Sequence, residues 1–170
     1  GTLLSSAGRY EEARPYLSAS ALEQITELIQ VTIGMSACAA QTGSPSEAFE
    51  VLSWMRQVLD GLKIPGKVCY LDKADVFLLH LQAQLCADAG DLPAAKDCLQ
   101  KAVRLARRFD TAPVYTMKNI RFYHEKEPLL LSDSFGETAM QGLENSIRHG
   151  TAESSQILRD IWREIINESE

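Results

Sequence analysis

Apolar residues in this chain recur mostly at three- and four-residue spacing, the period of a helix rather than a strand. Val76, Leu79, Ala83, Cys86 and Ala87 form one such face, and Ala95, Leu99, Ala102, Ala106 and Phe109 form the next. Ile157, Leu158, Ile161, Trp162, Ile165 and Ile166 make a third. With the start and stop signals between them, these faces predict helices over about 2–7, 10–18, 21–41, 45–61, 70–89, 92–109, 135–149 and 152–168.

The breaks carry as much information as the runs. Between the first two faces stands Ala89-Gly90-Asp91-Leu92-Pro93. Gly90 suits the left-handed residue that ends a helix, Asp91 can cap the next one, and Pro93 falls in a first turn where a missing N–H costs little. Two helices joined this tightly must run antiparallel as a hairpin. Gly8 followed by Ala13, and Gly43 followed by Ala48, repeat the spacing of Gly90 and Ala95; Gly150 with Ser155 is a weaker fourth copy. A small residue five positions past the turn lets the second helix cross close to the first. Capping boxes are expected at Ser44 with Glu47, Ser20 with Glu23, and Ser134 with Glu137. Lys63-Ile64-Pro65-Gly66-Lys67 reads as a turn linker.

In these turns the chain resembles the tetratricopeptide repeat family, whose unit is about 34 residues. Ala83, Gly90, Asp91, Leu92, Ala95, Leu99 and Ala102 match its pattern; Ser36, Gly43, Ala48, Leu52 and Met55, and Gly8, Tyr10, Ala13 and Leu17, match it in part. The resemblance covers about residues 1–110. The turn glycines lie 35, 47 and 60 residues apart, so the repeats are irregular, and Pro15 falls inside the first second-helix. The resemblance implies an all-α, right-handed solenoid of antiparallel hairpins in one domain, 1–170. Its repeats would span about 1–20, 21–62 and 70–109, with an irregular connection over 110–132 and a C-terminal hairpin over 133–170. The last helix would cap the stack. A chain that opens on Gly1 with a short first helix is expected to be a piece of a longer protein.

The family lines its concave surface with first-helix residues. Carried onto this chain, that face comprises Gln30, Ile33 and Ala37, then Phe77, His80, Gln84 and Asp88, then Glu137, Met140, Glu144 and Arg148. The family's Lys/Asn clamp for carboxylate tails is absent at these positions. Residues 110–132 interrupt the helical pattern with two prolines and three aromatics, Tyr115, Phe122 and Tyr123, among Lys118, Arg121, His124 and Lys126. A structural crossover and a partner-contacting loop both fit such a connection. The contacting reading adds Tyr115 and Arg121 to the ligand-binding set. Together with residues 135–140, the stretch also resembles tails of bacterial helix-turn-helix regulators.

Charge changes the picture modestly. The net charge is −6, divided as −4 over 1–60, −1 over 61–95, +4 over 96–127 and −5 over 128–170. The basic band includes Lys101, Arg104, Arg107 and Arg108. Cations near a helix C-terminus are favoured by its dipole, and no recognition helix is present, so direct nucleic-acid binding is not expected. Cys38, Cys69, Cys86 and Cys98 lack metal-ligand spacing; buried reduced thiols and a cytoplasmic setting are the expectation, with a disulfide or metal site as the alternative. Phosphate loops, nucleophile elbows and zinc-protease motifs are lacking, and His80, His124 and His149 lie far apart. Asp72 and Asp75 are expected on the solvated first turn of a helix. No stretch is long and apolar enough for a membrane span.

These readings converge on a protein- or peptide-binding module without enzymatic activity, cofactor or metal, serving as the sensor or interaction part of a bacterial regulator. Homo-oligomerisation is compatible with it. The rivals are an assembly scaffold that uses its outer face and an accessory domain of an enzyme.

Overall fold

The computed structural model describes residues 1–111, 142–144 and 146–168, and among them every regular element is helical. They are α1 (Thr2–Ser6), α2 (Tyr10–Gln41), α3 (Pro45–Leu62), α4 (Tyr70–Asp88), α5 (Leu92–Ala106), α6 (Arg108–Thr111) and α7 (Ala152–Asn167). A short 3-10 turn, Ile147–His149, precedes α7, and residues 142–144 and 146 are helical. The expected all-α class holds. Tyr115, Arg121, Glu137 and Met140, and the Ser134–Glu137 box, lie outside the described residues.

The three glycine turns form as the spacing predicts. Gly8, Gly43 and Gly90 have φ of 75°, 86° and 77°, the left-handed region where a side chain is strained. Each closes a helix with the same pair of bonds. In the third, Gly90 N–H donates to Ala87 O at 3.0 Å and Asp91 N–H to Cys86 O at 2.8 Å. Ala13, Ala48 and Ala95, five residues past each glycine, are 1%, 0% and 0% exposed, so each marks a close helix crossing. Asp91 caps α5, accepting from Ala94 N–H at 3.1 Å. Ser44 begins α3 without a side-chain cap, contrary to the expected box with Glu47.

The break expected between 18 and 21 does not exist: α2 is one helix of 32 residues. Ser18-Ala19-Ser20-Ala21 contains neither Gly nor Pro, and Ser20 is as compatible with a helix interior as with a cap. Pro15 lies in the second turn, where it removes one bond to the Glu11 carbonyl and the helix runs on. The first repeat thus shares a helix with the second, and the boundary expected at 20–21 is not a structural one. On the far side of the fold, α5 ends at Ala106, and α6 restarts at Arg108 rather than continuing to 109.

α4 is the central helix. It pairs most extensively with α5, and also packs against α3 and α7. Leu52, Met55 and Leu59 of α3 meet Leu71, Leu78 and Leu81 of α4 in one core. In a second, Ala83 and Ala87 of α4, Leu99 and Val103 of α5, and Leu158 and Ile165 of α7 come together, with Ile157, Ile161, Trp162 and Ile166 against them. The apolar stripe of α7 therefore covers the α4/α5 hairpin. Each fully buried Leu contributes about 1.5–3 kcal/mol of apolar transfer. Lys96 of α5 adds a rim pair to Glu164 of α7 at 2.9 Å.

The corner between α3 and α4 is polar. Lys63 Nζ lies 3.1 Å from both Asp72 Oδ1 and Asp75 Oδ2, and Arg56 Nε lies 2.5 Å from Asp75 Oδ1. Asp72 Oδ2 accepts from Cys69 N–H at 2.7 Å, capping α4, and Arg108 approaches Asp72 at 4.0 Å. Asp72 and Asp75 are 1% and 2% exposed, so the solvated reading of this pair is corrected. Their i,i+3 spacing did point to a shared face, but that face turns inward toward three cations. Burial alone would depress the Lys63 pKa; Asp75 and Asp72 together outweigh it and hold it above the usual lysine value.

Candidate functional site

The face expected to be concave starts from α4. Phe77, His80, Gln84 and Asp88 do line up along it, but the row is not open. Gly142, His149, Gly150, Thr151 and Ser154 lie against it. The Phe77 ring centroid lies 6.5 Å from that of His149. The His80 ring faces Gly142 so closely that a β-carbon there would stand 2.9 Å from Nδ1. Gln84 packs against Gly150, and its Nε2 donates to Ser154 Oγ. Thr151 Oγ1 donates to Asp88 Oδ1 at 3.4 Å. His80 and Gln84 are 0% and 2% exposed, Phe77 is half-buried, and Asp88 alone is exposed. The reason is hydrophobic: a helix apolar on most of its faces is stable only when those faces are covered, and these residues cover this one.

Two buried polar atoms in this contact lack partners among the described residues, His80 Nε2 and Gln84 Oε1. The His80 ring is held by Nδ1 to Val76 O at 2.8 Å. Burial pushes its pKa down to about 4, with the Val76 carbonyl acting weakly the other way, so the ring is neutral at ordinary pH. For Gln84, Ser154 Oγ donates to Thr151 O at 3.1 Å, so it must accept from the glutamine NH2. That fixes the amide orientation and leaves Oε1 as the unpaired acceptor.

Beside this contact a cavity of about 410 Å³ remains open between α2 and α4. Ile33, Ser36, Ala37, Ala40 and Gln41 form its α2 wall, and Pro45 and Leu52 of α3 contribute to it. Leu81, Gln84, Leu85, Asp88 and Ala89 form the α4 wall, and Arg148 and His149 also line the cavity. Four residues assigned to the concave face, Ile33, Ala37, Gln84 and Asp88, thus meet at one cavity with Arg148. Gln30 does not; it is exposed further back on α2, beside Leu22, Glu23, Thr26 and Glu27. Glu144 is exposed and does not line the cavity. Leu81, Leu85 and His149 were missed. Leu81 and Leu85 share the helical spacing of Gln84 and Asp88, a signal that was present but assigned to no face.

The other candidate chemistry is dispersed. Lys101 pairs with Asp97 at 2.5 Å, Arg108 turns toward Asp72, and Arg104 is exposed, so these basic residues do not act as one free stripe. Cys69 and Cys98 are buried and Cys86 partly so, while Cys38 is exposed, contrary to the expectation of burial; all four are free thiols. Burial, with Asp72 nearby, pushes the Cys69 thiol up to about 11. A hydrogen bond between Cys86 and Cys98 pushes the former up and the latter down. Among the described residues no group of His, Cys, Asp and Glu is placed to hold a metal, and no helix is long and apolar enough to cross a membrane. Neither a protein family model, nor a curated protein, nor a solved structure matches this chain.

Proposed function

We propose that this chain is a peptide-binding helical-hairpin module whose ligand enters the cavity between α2 and α4. The convergence of Ile33, Ala37, Gln84 and Asp88 with Arg148 on that cavity carries the reading. Its size falls within the range of small-ligand sites, about 300–1,000 Å³, and its walls combine apolar surface with a few polar groups, the usual make-up of such sites. The turn-and-crossing pattern shared with tetratricopeptide repeats supports a binding role over a catalytic one. The resemblance of residues 110–140 to regulator tails supports a place in a cytoplasmic bacterial regulatory protein.

A substitution on the α2 wall of the cavity gives the test. Ala37 is exposed and lines the cavity, so A37W fills it without disturbing the core. A pool of random short peptides should be retained by the wild-type chain and lost by A37W, with helical content unchanged. Equal retention by both proteins overturns the cavity as the site. The assembly-scaffold reading draws on a different observation, the exposure of Val31, Met35 and Trp54 at 51%, 55% and 50%. It predicts a homo-oligomer in solution that V31E with M35E dissolves.

A further inference from the structure

We propose, resting on the peptide-binding reading above, that the cavity takes the free amino terminus of a peptide whose first residue is apolar. The argument is one of charge complementarity. α2 and α4 both run antiparallel to α3, and the last residues of both, Ala40 and Gln41 with Asp88 and Ala89, line the same cavity. Two helix C-termini therefore bring negative partial charge to one end of it, opposed there by the single N-terminus of α3 at Pro45. Neither helix carries a basic residue in its last turn. Asp88 adds a full negative charge at that place. Its Oδ1 is bound only by neutral donors at long range, Gln84 Nε2 and Thr151 Oγ1, each at 3.4 Å. Arg148 is a cation that lines the same cavity, but among the described residues no ion pair joins it or any other cation to Asp88, which leaves that carboxylate open to a ligand's charge.

Next to this pole lies apolar surface. Leu85 precedes Asp88 by three residues, so their β-carbons stand about 5–6 Å apart on one helix face. Ile33, Ala37 and Leu81 continue that surface across the cavity. An ammonium and an aliphatic side chain branching from the same carbon match this separation. A lysine side chain matches it less well, because its charge sits at the end of a long stem away from apolar bulk. Arg148 and His149, which also line the cavity, present donors suited to the first carbonyl of the peptide.

The experiment uses two pools of random short peptides, labelled at the C-terminus with fluorescein, one with free amino termini and one acetylated. The free pool is retained by the wild-type chain and is enriched in Leu, Ile, Met and Val at its first position. Acetylation and D88N each weaken retention by about tenfold or more, the scale of losing a charge-assisted hydrogen bond. Asp88 is exposed, and D88N keeps the wild-type melting temperature; D97N, on the outer side of α5, leaves retention unchanged. Equal retention of the acetylated pool, or full retention by D88N, overturns the amino-terminus inference while leaving the cavity as a peptide site. Retention of neither pool overturns both.

Discussion

Gly150 and Gln84 are in such close contact that any side chain at position 150 would overlap the Gln84 amide. Gly150 has φ of −108°, an ordinary value, so space rather than backbone freedom explains the glycine. The missing side chain lets the segment entering α7 lie on Gln84 of α4. G150A should displace Gln84 from Ser154 and destabilise the fold by about 1–3 kcal/mol, as overpacking does. Thermal unfolding would show it, as a melting temperature several degrees lower. An unchanged melting temperature would mean that the segment entering α7 does not seal α4.

The polar corner should be intolerant of losing its lysine. K63M leaves two buried carboxylates facing Arg56 and a distant Arg108. Breaking a buried pair in this way costs about 3–5 kcal/mol, far more than the ~0–1 kcal/mol of a surface pair. K101M, which removes the exposed contact with Asp97, is the comparison and should be near neutral in denaturant titration.

Acid should loosen the protein through His80. Its folded pKa, near 4, lies below the ordinary imidazole value of 6.5, so between those values the unfolded chain binds the extra proton. The stability from keeping His80 neutral is fully present above pH 6.5 and is lost as pH falls toward 4, on the order of 3 kcal/mol in all. H80L should flatten that part of the stability-versus-pH curve. A curve of the same slope in H80L would assign the acid sensitivity to the buried carboxylates instead.

Thiol reactivity should separate the cysteines. Cys38, exposed on α2, should react with a thiol-specific disulfide reagent at the rate of a free thiol at pH 7. Cys69, buried and with its pKa raised to about 11, should react only on unfolding. Mass mapping after a short pulse checks both; rapid labelling of Cys69 would contradict the packing of the α3–α4 corner.

Tight packing at the third turn is open to the same kind of check. Ala95 is fully buried where α5 crosses α4, and A95L should cost about 1–3 kcal/mol. A melting temperature equal to the wild type would remove the crossing contact from the account.

Much of this fold is local and was therefore legible in the chain. Gly8, Gly43 and Gly90 announce left-handed turns, Asp91 announces a cap, and the spacing of Ile157 to Ile166 announces a buried face, because each depends on backbone geometry within a few residues. The continuity of α2 was less legible, since Ser20 suits a cap and a helix interior equally, and packing of the flanking helices decides between them. The cavity was half visible: Ile33, Ala37, Gln84, Asp88 and Arg148 follow from the turn alignment, whereas Leu81 and His149 do not.

What the sequence determined alone is the set of helices, their hairpin turns and the faces that must be buried. Only the tertiary structure decided what buries them. The same i,i+3 spacing that suggested a solvated acidic pair put Asp72 and Asp75 against Lys63 and Arg56, which lie in another helix and its linker. The same mixed row that suggested an open groove put His80 and Gln84 beneath Gly142 and Gly150. Periodicity specifies which side chains share a face, but burial depends on which distant segment arrives there. In this chain, Gly142, Gly150 and Ser154 reach α4 from more than fifty positions away, and no local signal encodes their destination.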